Sequence, residues 1–291
     1  MLTIKKGSKG PEVKTLQSKL NEFAPYGLVA DGIFGTKTEE AVKDYQFHHG
    51  LVADGIVGPK TWEVLGVEEP KGMIIYGNYL SPSQYYHDKV YKNSYIVLHH
   101  TAGWDDPDQV VTSWNNDTRG RVATEFVVGG QRCTDGRSTY DGKIVKCFPD
   151  GAAGSHIGTS GLTNYSLMSV GIENCCMGHV QNGKVYTGAK CLPEQTVTLS
   201  KPFRGFTQFH RYSDKQLESL RQLLLFVGNR DNIDLHKGLY EWIKKQGVEA
   251  FEFQSDAYYG KAKGIVTHAN IRKDKEDMFP QPELIDMILS L

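Results

Sequence analysis

The stretch IVLHHTAGW, residues 96–104, ends an apolar, β-branched run in two adjacent histidines and continues with small residues. A short apolar run of this kind is typical of a strand inside a covered sheet. The end of such a strand is rigid, and its side chains face the rim of any pocket there. His99 and His100 are therefore candidate site residues, and the stretch raises the question of whether one of them binds a metal or both are simply buried.

Similar apolar runs alternate with helical patterns along the rest of the chain. In the longest helical pattern Leu217, Leu220 and Leu224 lie on one face, and Ser213 is placed to cap the helix. This alternation predicts an α/β domain over residues 73–291, with a central, mostly covered β-sheet flanked by helices. The strand candidates are YIVLHH (95–100), TEFVVGG (124–130), KIVKCF (143–148) and SVGIENC (169–175). The helix candidates are DPDQVVTSWNN (106–116), SDKQLESLRQLLLFVGN (213–229), LHKGLYEWIKKQG (235–247) and PELIDMILSL (282–291).

The N-terminal part of the chain contains a repeated unit. LVADGIFGTKT starts at Leu28 and LVADGIVGPKTW at Leu51, 23 residues later, and nine of the first eleven positions are identical. Each copy combines an Asp-Gly turn, a buried apolar residue, a second glycine and a threonine that can cap a helix. A further helix is predicted in GPEVKTLQSKLNEF, where Pro11 suits the first helical position. Residues 1–68 are thus predicted to form a small all-α domain of three helices, followed by a linker at residues 67–72.

The composition excludes several classes of function. Lys and Arg total 33 against 34 Asp and Glu, so the chain has no broad positive field that would attract nucleic acid or anionic lipid. No run reaches the roughly 18 to 20 apolar residues that span a bilayer, and the basic N-terminus lacks the apolar segment of a signal peptide. We therefore expect no nucleic-acid partner, no membrane insertion, and synthesis in the cytoplasm without a signal peptide.

The cysteines suit neither a disulfide framework nor a sulfur-rich zinc module, because their number is odd and no C-x-x-C pair occurs. We expect free, buried thiols, and one disulfide is the alternative. The five residues are Cys133, Cys147, Cys175, Cys176 and Cys191.

A second histidine at the end of an apolar run is His268, and Asp277 follows nine residues later. A catalytic zinc takes three protein ligands and one water, and imidazole nitrogens and carboxylate oxygens both serve. One histidine from an early strand, one from a late strand and a carboxylate from the next loop can form such a site. Spacing alone is a weak signal in a chain with ten histidines, and those such as His48, His49 and His87 are interpreted as ordinary surface or core residues.

Glu173 lies in the apolar run SVGIEN and is a separate candidate. Burying a carboxylate is costly unless the group is paired or has a chemical role. The functional interpretation is a catalytic acid or base, and the alternative is a structural glutamate in an ion pair.

Two known families resemble the two parts of the chain. Residues 1–68 resemble the peptidoglycan-binding domain of many bacterial and phage cell-wall hydrolases, through VKTLQSKLN, DGIFGTKTEEAV, YQ and GLVADGIVGPKTW. Residues 73–291 resemble the zinc-dependent N-acetylmuramoyl-L-alanine amidases of the type 2 family, whose fold also includes peptidoglycan recognition proteins. The blocks that carry this second resemblance, in the family's order, are YIVLHHTAGW, TEFVVGG, DGKIVKCFPDGAAGSHIG, YSLMSVGIEN, YSDKQLESLRQLL and GIVTHANIRKDKEDMFPQP.

The resemblance to the amidases implies roles for individual residues. It implies zinc bound by His99, rather than its neighbour in the pair, together with His268 and Asp277. It also implies that Glu173 is the general base and that Lys275 faces the oxygen on which negative charge develops. These roles are expectations that the structure can test by showing whether the five side chains share one place.

Further positions follow from the same resemblance. His100 is expected to shape the pocket, and His100 and His156 are candidate substrate contacts. Thr124 stands where one branch of the family has a catalytic tyrosine, which leaves the glutamate as the base. Residues 175–209 and 229–264 are longer than the family core needs, and the resemblance assigns them no role.

The resemblance as a whole implies hydrolysis of the amide between N-acetylmuramic acid and L-alanine of the stem peptide by a zinc-activated water. Two alternatives stay open: a non-catalytic peptidoglycan receptor on the same fold, and a zinc peptidase that cuts a different cell-wall amide. The expected partner is peptidoglycan, and the expected state is a monomer. The expected setting is a phage endolysin that reaches the wall through a separate holin, with a bacterial wall-remodelling enzyme or a secreted toxin as alternatives.

Overall fold

The computed structural model describes residues 4–9, 11–66, 73–88, 91–158 and 163–291. The chain divides into two compact units, Met1–Met73 and Ile74–Leu291. The predicted linker at residues 67–72 lies outside the described residues. Within the described ranges, no helix combines the length and the apolar character needed to cross a bilayer.

Three helices form the first unit, which confirms the all-α prediction for this part of the chain. They are α1 (Pro11–Phe23), α2 (Thr36–His48) and α3 (Pro59–Val64). Helices this short are marginal in water on their own, so their stability comes from the faces that they bury together. Leu16, Val42 and Trp62 are fully buried in this shared core.

Each repeat of the first unit is closed by a buried glutamine that binds the Asp-Gly turn. Gln17 Nε2 donates to Asp31 Oδ1 at 3.0 Å, to the Ile33 carbonyl at 3.1 Å and to Thr38 Oγ1 at 3.3 Å. Its Oε1 accepts the N–H of Gly32 at 3.0 Å. Gln46 Nε2 donates in the same way to Asp54 Oδ1 at 3.1 Å, to the Ile56 carbonyl at 2.9 Å and to Thr61 Oγ1 at 3.2 Å. Its Oε1 accepts the N–H of Gly55 at 2.9 Å. The echo in the sequence is therefore a duplicated hydrogen-bond network.

Six strands of the second unit form one sheet, and two more form a separate hairpin. The strands are β1 (Ile75–Gly77), β2 (Tyr95–His100), β3 (Phe126–Val128), β4 (Ile144–Lys146), β5 (Ser169–Asn174), β6 (Thr196–Phe203), β7 (Phe206–His210) and β8 (Gly264–Thr267). The sheet order is β1-β4-β3-β5-β2-β8, and only the β3–β4 pair is antiparallel. Every residue of β2 is buried, as expected for a central strand that is covered on both faces.

Seven α-helices accompany these strands in the described part of the second unit. They are α4 (Pro107–Asn115), α5 (Thr163–Leu167), α6 (Asp214–Asp231), α7 (Leu239–Gln246), α8 (Ser255–Tyr258), α9 (His268–Ile271) and α10 (Pro282–Leu289). Short 3-10 turns lie at Pro82–Gln84, Pro193–Gln195 and Gly247–Phe251. Ser213 caps α6 by accepting the Gln216 N–H, as predicted. The α/β prediction for this unit, a mostly covered sheet flanked by helices, is confirmed.

One predicted helix starts later than expected. The pattern at residues 235–247 predicts a single helix, but α7 begins only at Leu239. Gly238 has φ +68°, and a Cβ at this position would lie 2.3 Å from the carbonyl oxygen of Ile265. The close approach to β8 forces a left-handed residue here, and this contact, distant in sequence, has no local signal.

The cysteines are all free and buried, so the structure has the arrangement expected from their number rather than the alternative disulfide. The β6–β7 hairpin lies mostly within residues 175–209, where the sequence analysis assigned neither a strand nor a role. This segment is folded, because Val180, Val185 and Cys191 are buried in a common cluster with Cys133.

Candidate metal centre and active-site cleft

Three neighbouring parallel strands bring the candidate residues to one edge of the sheet. His99 on β2 is the register partner of Glu173 on β5. On the other side of β2, Leu98 pairs with Thr267, the last residue of β8, so His268 follows at the level of His99. Parallel strands end at the same edge of a sheet, which is where open α/β folds place their ligands.

The turn after β8 fixes the position of His268. Thr267 caps helix α9 by accepting the N–H of Asn270, and the Asn270 side chain accepts the N–H of Thr267 in return. The Asn270 amide also donates to the carbonyls of Ala250 and Glu252, both at 2.8 Å. His268 therefore stands on a fully bonded strand-to-helix junction rather than on a loose loop.

Three donor atoms converge within the described part of the second unit: His99 Nδ1, His268 Nδ1 and Asp277 Oδ2. The two nitrogens are 3.0 Å apart, and Asp277 Oδ2 lies 3.0 Å from His268 Nδ1 and 3.4 Å from His99 Nδ1. Ligands about 2.0 to 2.2 Å from a tetrahedral zinc are separated by roughly 3.3 Å. The spacing of these atoms therefore fits one zinc ion.

The hydrogen bonds behind the cluster set which nitrogen carries a hydrogen. His268 Nε2 lies 2.9 Å from the carbonyl oxygen of Ile157, which can only accept, so Nε2 carries a hydrogen and, in the neutral ring, Nδ1 presents a lone pair. His99 Nε2 lies 2.9 Å from His156 Nδ1, and His156 Nε2 lies 3.1 Å from Ser169 Oγ. If His99 Nε2 donates along this chain, its Nδ1 also presents a lone pair, which is the usual outer support of a metal-binding histidine.

The electrostatics of the cluster favour the unprotonated forms that bind metal. Burial lowers the pKa of His99 to about 4, despite the opposing effect of Asp277. Burial acts to raise the pKa of Asp277, but the adjacent His268 and His99 hold that pKa well below its ordinary value. The cluster therefore offers a neutral His99 imidazole and an ionised Asp277 carboxylate beside the His268 ring, and two imidazoles with one carboxylate are a donor set that zinc takes in such sites.

Glu173 stands beside this cluster at the wall of an open cleft. The cleft has a volume of about 330 Å³ and is bounded by Glu173, by the turn at residues 101–104 and by one side of α4. Burial, and next the charge of Asp277, raise the pKa of Glu173 to about 8, while Lys275 acts in the opposite direction. A carboxyl group whose pKa is shifted toward neutrality, in a cleft and beside a donor cluster, is a candidate for acid-base chemistry.

Lys275 is placed by the same loop that carries Asp277. Its positive charge acts on both Glu173 and His99, so it lies within electrostatic range of the whole site. Glu276 lies between Lys275 and Asp277 in the sequence. Its carboxylate accepts a hydrogen bond from His179, with 2.9 Å between Nδ1 and Oε1. His179 belongs to residues 175–209, and the sequence analysis missed this contact because the partners are 97 positions apart.

Two predicted residues lie away from the cleft. His100 is buried on the opposite face of β2, where its Nδ1 is 2.8 Å from the Tyr212 hydroxyl. His156 stands behind His99 and contacts it directly. Neither is among the residues that line this cleft, and their role as substrate contacts stays a prediction. Thr124 is buried, and its hydroxyl donates to the Phe126 carbonyl at 2.8 Å.

Comparisons with known proteins agree with this division of the chain. The family model described as N-acetylmuramoyl-L-alanine amidase matches residues 89–281, and the model described as putative peptidoglycan binding domain matches residues 9–65. A comparison with curated proteins found no match.

Solved structures similar to parts of the chain include three that carry related descriptions. A peptidoglycan-binding protein from Clostridioides difficile is 46% identical over 22% of this chain and 40% of its own, with a TM-score of 0.22. A Burkholderia AP3 phage endolysin is 43% identical over 24% of this chain and 27% of its own, with a TM-score of 0.22. An endolysin N-acetylmuramoyl-L-alanine amidase from Clostridium intestinale is 17% identical over 77% of this chain and 95% of its own, with a TM-score of 0.41. This chain thus spans less than half the length of the first two proteins.

The family models carry the assignment. The amidase model covers about two thirds of the sequence, including all of β2, β5 and β8 and the donor cluster at their ends. Both resemblances drawn from the sequence are confirmed, and the chain belongs to the N-acetylmuramoyl-L-alanine amidase family, with a peptidoglycan-binding region ahead of the amidase region.

Proposed function

We propose that this protein hydrolyses the amide bond between N-acetylmuramic acid and the L-alanine of the peptidoglycan stem peptide. The observation that carries the proposal is the convergence of His99, His268 and Asp277 beside Glu173, in a chain of the amidase family. A wall receptor without catalytic function would need none of these groups. The free-energy cost of burying them would then not be offset by any function.

His99, His268 and Asp277 would hold a zinc ion through Nδ1, Nδ1 and Oδ2. When bound, zinc supplies a Lewis acid and lowers the pKa of a bound water from about 15.7 to about 7. The chain of hydrogen bonds through His156 and the bond from His268 to Ile157 keep the two imidazoles oriented for this role.

Glu173 is proposed as the general base and then the general acid. Its carboxylate accepts a proton from the attacking water and passes that proton to the departing amine nitrogen, so that the new amine leaves uncharged. Such a positioned acid-base group contributes about 10² to 10⁴ in rate. The ammonium of Lys275 stabilises the negative charge that develops on the carbonyl oxygen during attack.

The two units are proposed to divide the work. Residues 1–68 would bind the wall and residues 73–291 would cut it, because tethering a catalytic domain to its polymer raises the local substrate concentration. A phage endolysin that reaches the wall through a separate holin is the proposed setting. The partner is peptidoglycan, and the chain is proposed to act as a monomer.

Digestion of purified cell walls, with and without a chelator, tests the activity. We expect new L-alanine amino groups without new reducing ends, loss of product after chelation, and recovery when zinc is added back. New amino groups from residues of the cross-link would show that a different amide is cut. Absence of any product from zinc-loaded protein, together with wall binding, would support the receptor alternative and contradict the proposal.

A further inference from the structure

Residues 175–209 contribute one exposed aromatic side chain to the wall of the cleft. Tyr186 and Glu173 both line the cleft, together with residues of α4. Tyr186 is 62% exposed. Single exposed aromatic side chains are common on protein surfaces and need no explanation. One that lines a cleft is a candidate for ligand contact, because ligand pockets are concave and rich in aromatic side chains.

The backbone under Tyr186 is held firmly although its ring is exposed. Val185 and Ala189 pair through a hydrogen bond of 3.0 Å, and Gly188 closes the turn with a bond of 2.8 Å to the Val185 carbonyl. The Val185 side chain is buried in the cluster that also contains Cys133 and Met177. A ring carried on a closed and anchored turn is presented to a ligand at low entropic cost.

The same segment is also joined to the catalytic loop. His179 binds Glu276, which lies between Lys275 and Asp277, and its ring stacks on Phe206 at 3.7 Å between centroids. The segment therefore contacts the loop that carries the third metal donor and also lines the cleft through Tyr186. This connection makes it part of the active site rather than a remote extension.

The chemistry of the cleft indicates which side of the substrate it takes. Trp104 and Tyr186 offer aromatic faces, and Gln109 and Ser113 offer neutral hydrogen-bonding groups. Among the described residues that line the cavity, the ionisable side chains include the carboxyl groups of Asp106 and Glu173, and no lysine or arginine is among them. Stem peptides carry free carboxylates, whereas the muramoyl carboxyl is neutralised in the amide. Aromatic faces beside neutral hydrogen-bonding groups suit an uncharged sugar, and a lining without basic side chains offers the peptide carboxylates no partner.

We infer that Tyr186 is a specificity-determining residue that binds the N-acetylmuramoyl sugar of the glycan strand, on the acyl side of the amide that is cut. The inference rests on the proposed function, because it names the part of that substrate which the cleft receives. In this proposal the rings of Trp104 and Tyr186 contact the sugar, and Gln109 and Ser113 of α4 offer hydrogen bonds to its acetamido and hydroxyl groups.

Binding of the peptide-free disaccharide of N-acetylglucosamine and N-acetylmuramic acid tests the inference without any turnover. The titration is followed by NMR in the full chain through the Trp104 indole N–H signal, identified by its loss in Trp104→Phe. This signal reports the cleft and is blind to sugar bound by the first unit. We expect a saturable shift in the parent, the same affinity within about twofold in Tyr186→Phe, and affinity about tenfold weaker in Tyr186→Ala.

Tyr259→Ala is the matched control, because Tyr259 is 61% exposed and lies outside the cleft. It should bind the disaccharide as the parent does. A silent Trp104 signal in the parent, equal affinity in Tyr186→Ala, or a shift produced by a sugar-free stem peptide instead of the disaccharide would each overturn the inference. Hydrolysis with a silent Trp104 signal would leave the proposed function intact, whereas disaccharide binding without hydrolysis would overturn only the proposed function.

Discussion

The glutamine networks of the helical unit and the histidine cluster of the sheet unit are both buried, but their polar atoms face different partners. Gln17 and Gln46 each end on backbone groups and on side chains that complete a turn, so every contact joins a donor to an acceptor. In the sheet unit, His99 Nδ1, His268 Nδ1 and Asp277 Oδ2 face one another. In the neutral imidazole, the bond of His268 Nε2 to a carbonyl leaves its Nδ1 without a hydrogen, so that Nδ1 presents a lone pair toward the other two atoms.

The difference shows how a structural polar cluster can be told from a chemical one. A buried network that pairs all its donors and acceptors stabilises one fold and needs nothing further. When both imidazoles are neutral and turn lone pairs inward, atoms 3.0 to 3.4 Å apart need a proton or a metal cation between them. Substitutions in the glutamine networks are therefore expected to change stability alone. Substitutions in the histidine cluster are expected to change metal binding and activity.

The largest effect is expected from removing a metal donor. His99→Ala should lose zinc and lower amidase turnover by at least about 10³-fold, because the water then keeps a pKa near 15.7 instead of about 7. Zinc content and release of L-alanine amino groups from walls measure the two losses. His87→Ala, at an exposed histidine of the same unit, is the control and should change neither. An active, zinc-loaded His99→Ala protein would break the comparison.

A separate effect is expected from the base. Glu173→Gln should keep zinc while turnover falls by about 10² to 10⁴, because the glutamine cannot accept a proton. Zinc content and turnover measured on the same preparation separate this variant from His99→Ala. Turnover equal to that of the parent would remove the assignment of Glu173 as base.

A smaller effect, on stability alone, is expected from the glutamines. Gln46→Ala should lower the free energy of unfolding of the helical unit by about 1 to 3 kcal/mol, because it leaves the buried Gly55 N–H and Ile56 carbonyl without their partner. Gln17→Ala should act alike, while Lys37→Ala on the exposed side of α2 should not. Denaturant unfolding and zinc content are the measurements. Loss of zinc in a glutamine variant would contradict the separation of roles.

The smallest effect concerns pH. Because folding raises the pKa of Glu173 from 4.5 to about 8, its contribution to stability is complete below pH 4.5 and is lost as the pH rises through 8. In chelator, Glu173→Gln should therefore become more stable relative to the parent as the pH rises from 5 to 9. Unfolding curves across this range measure the difference. If the difference in the free energy of unfolding between the two proteins did not change with pH, Glu173 would be exposed to solvent with an ordinary pKa, contrary to the prediction.

The site was predictable from the sequence to the extent that strand ends could be found. His99 and His268 end apolar runs, and parallel strands meet at one edge, so their meeting follows from local pattern and topology. Asp277 and Glu173 are candidates from their places in the sequence, and the family resemblance assigns them the roles of third ligand and general base. The adjacent His100 has the same local signal as His99, and only the alternation of side chains along β2 separates them.

Other features had no local signal. The contact of His179 with Glu276 joins two loops far apart in the sequence, and neither loop shows the other in its composition. The late start of α7 comes from the approach of Gly238 to β8. The duplicated glutamine does have a local sequence signal, since VKTLQ precedes the first repeat and VKDYQ precedes the second.

The central claim is that three side chains from separate parts of the second unit hold one zinc ion. X-ray absorption at the zinc edge, combined with metal analysis of the purified full-length protein, tests it most directly. The account predicts one zinc per chain with two imidazoles and one carboxylate at about 2.0 to 2.2 Å, and loss of this signal in Asp277→Ala. A protein that binds no zinc, or whose zinc environment is unchanged in Asp277→Ala, would contradict the account.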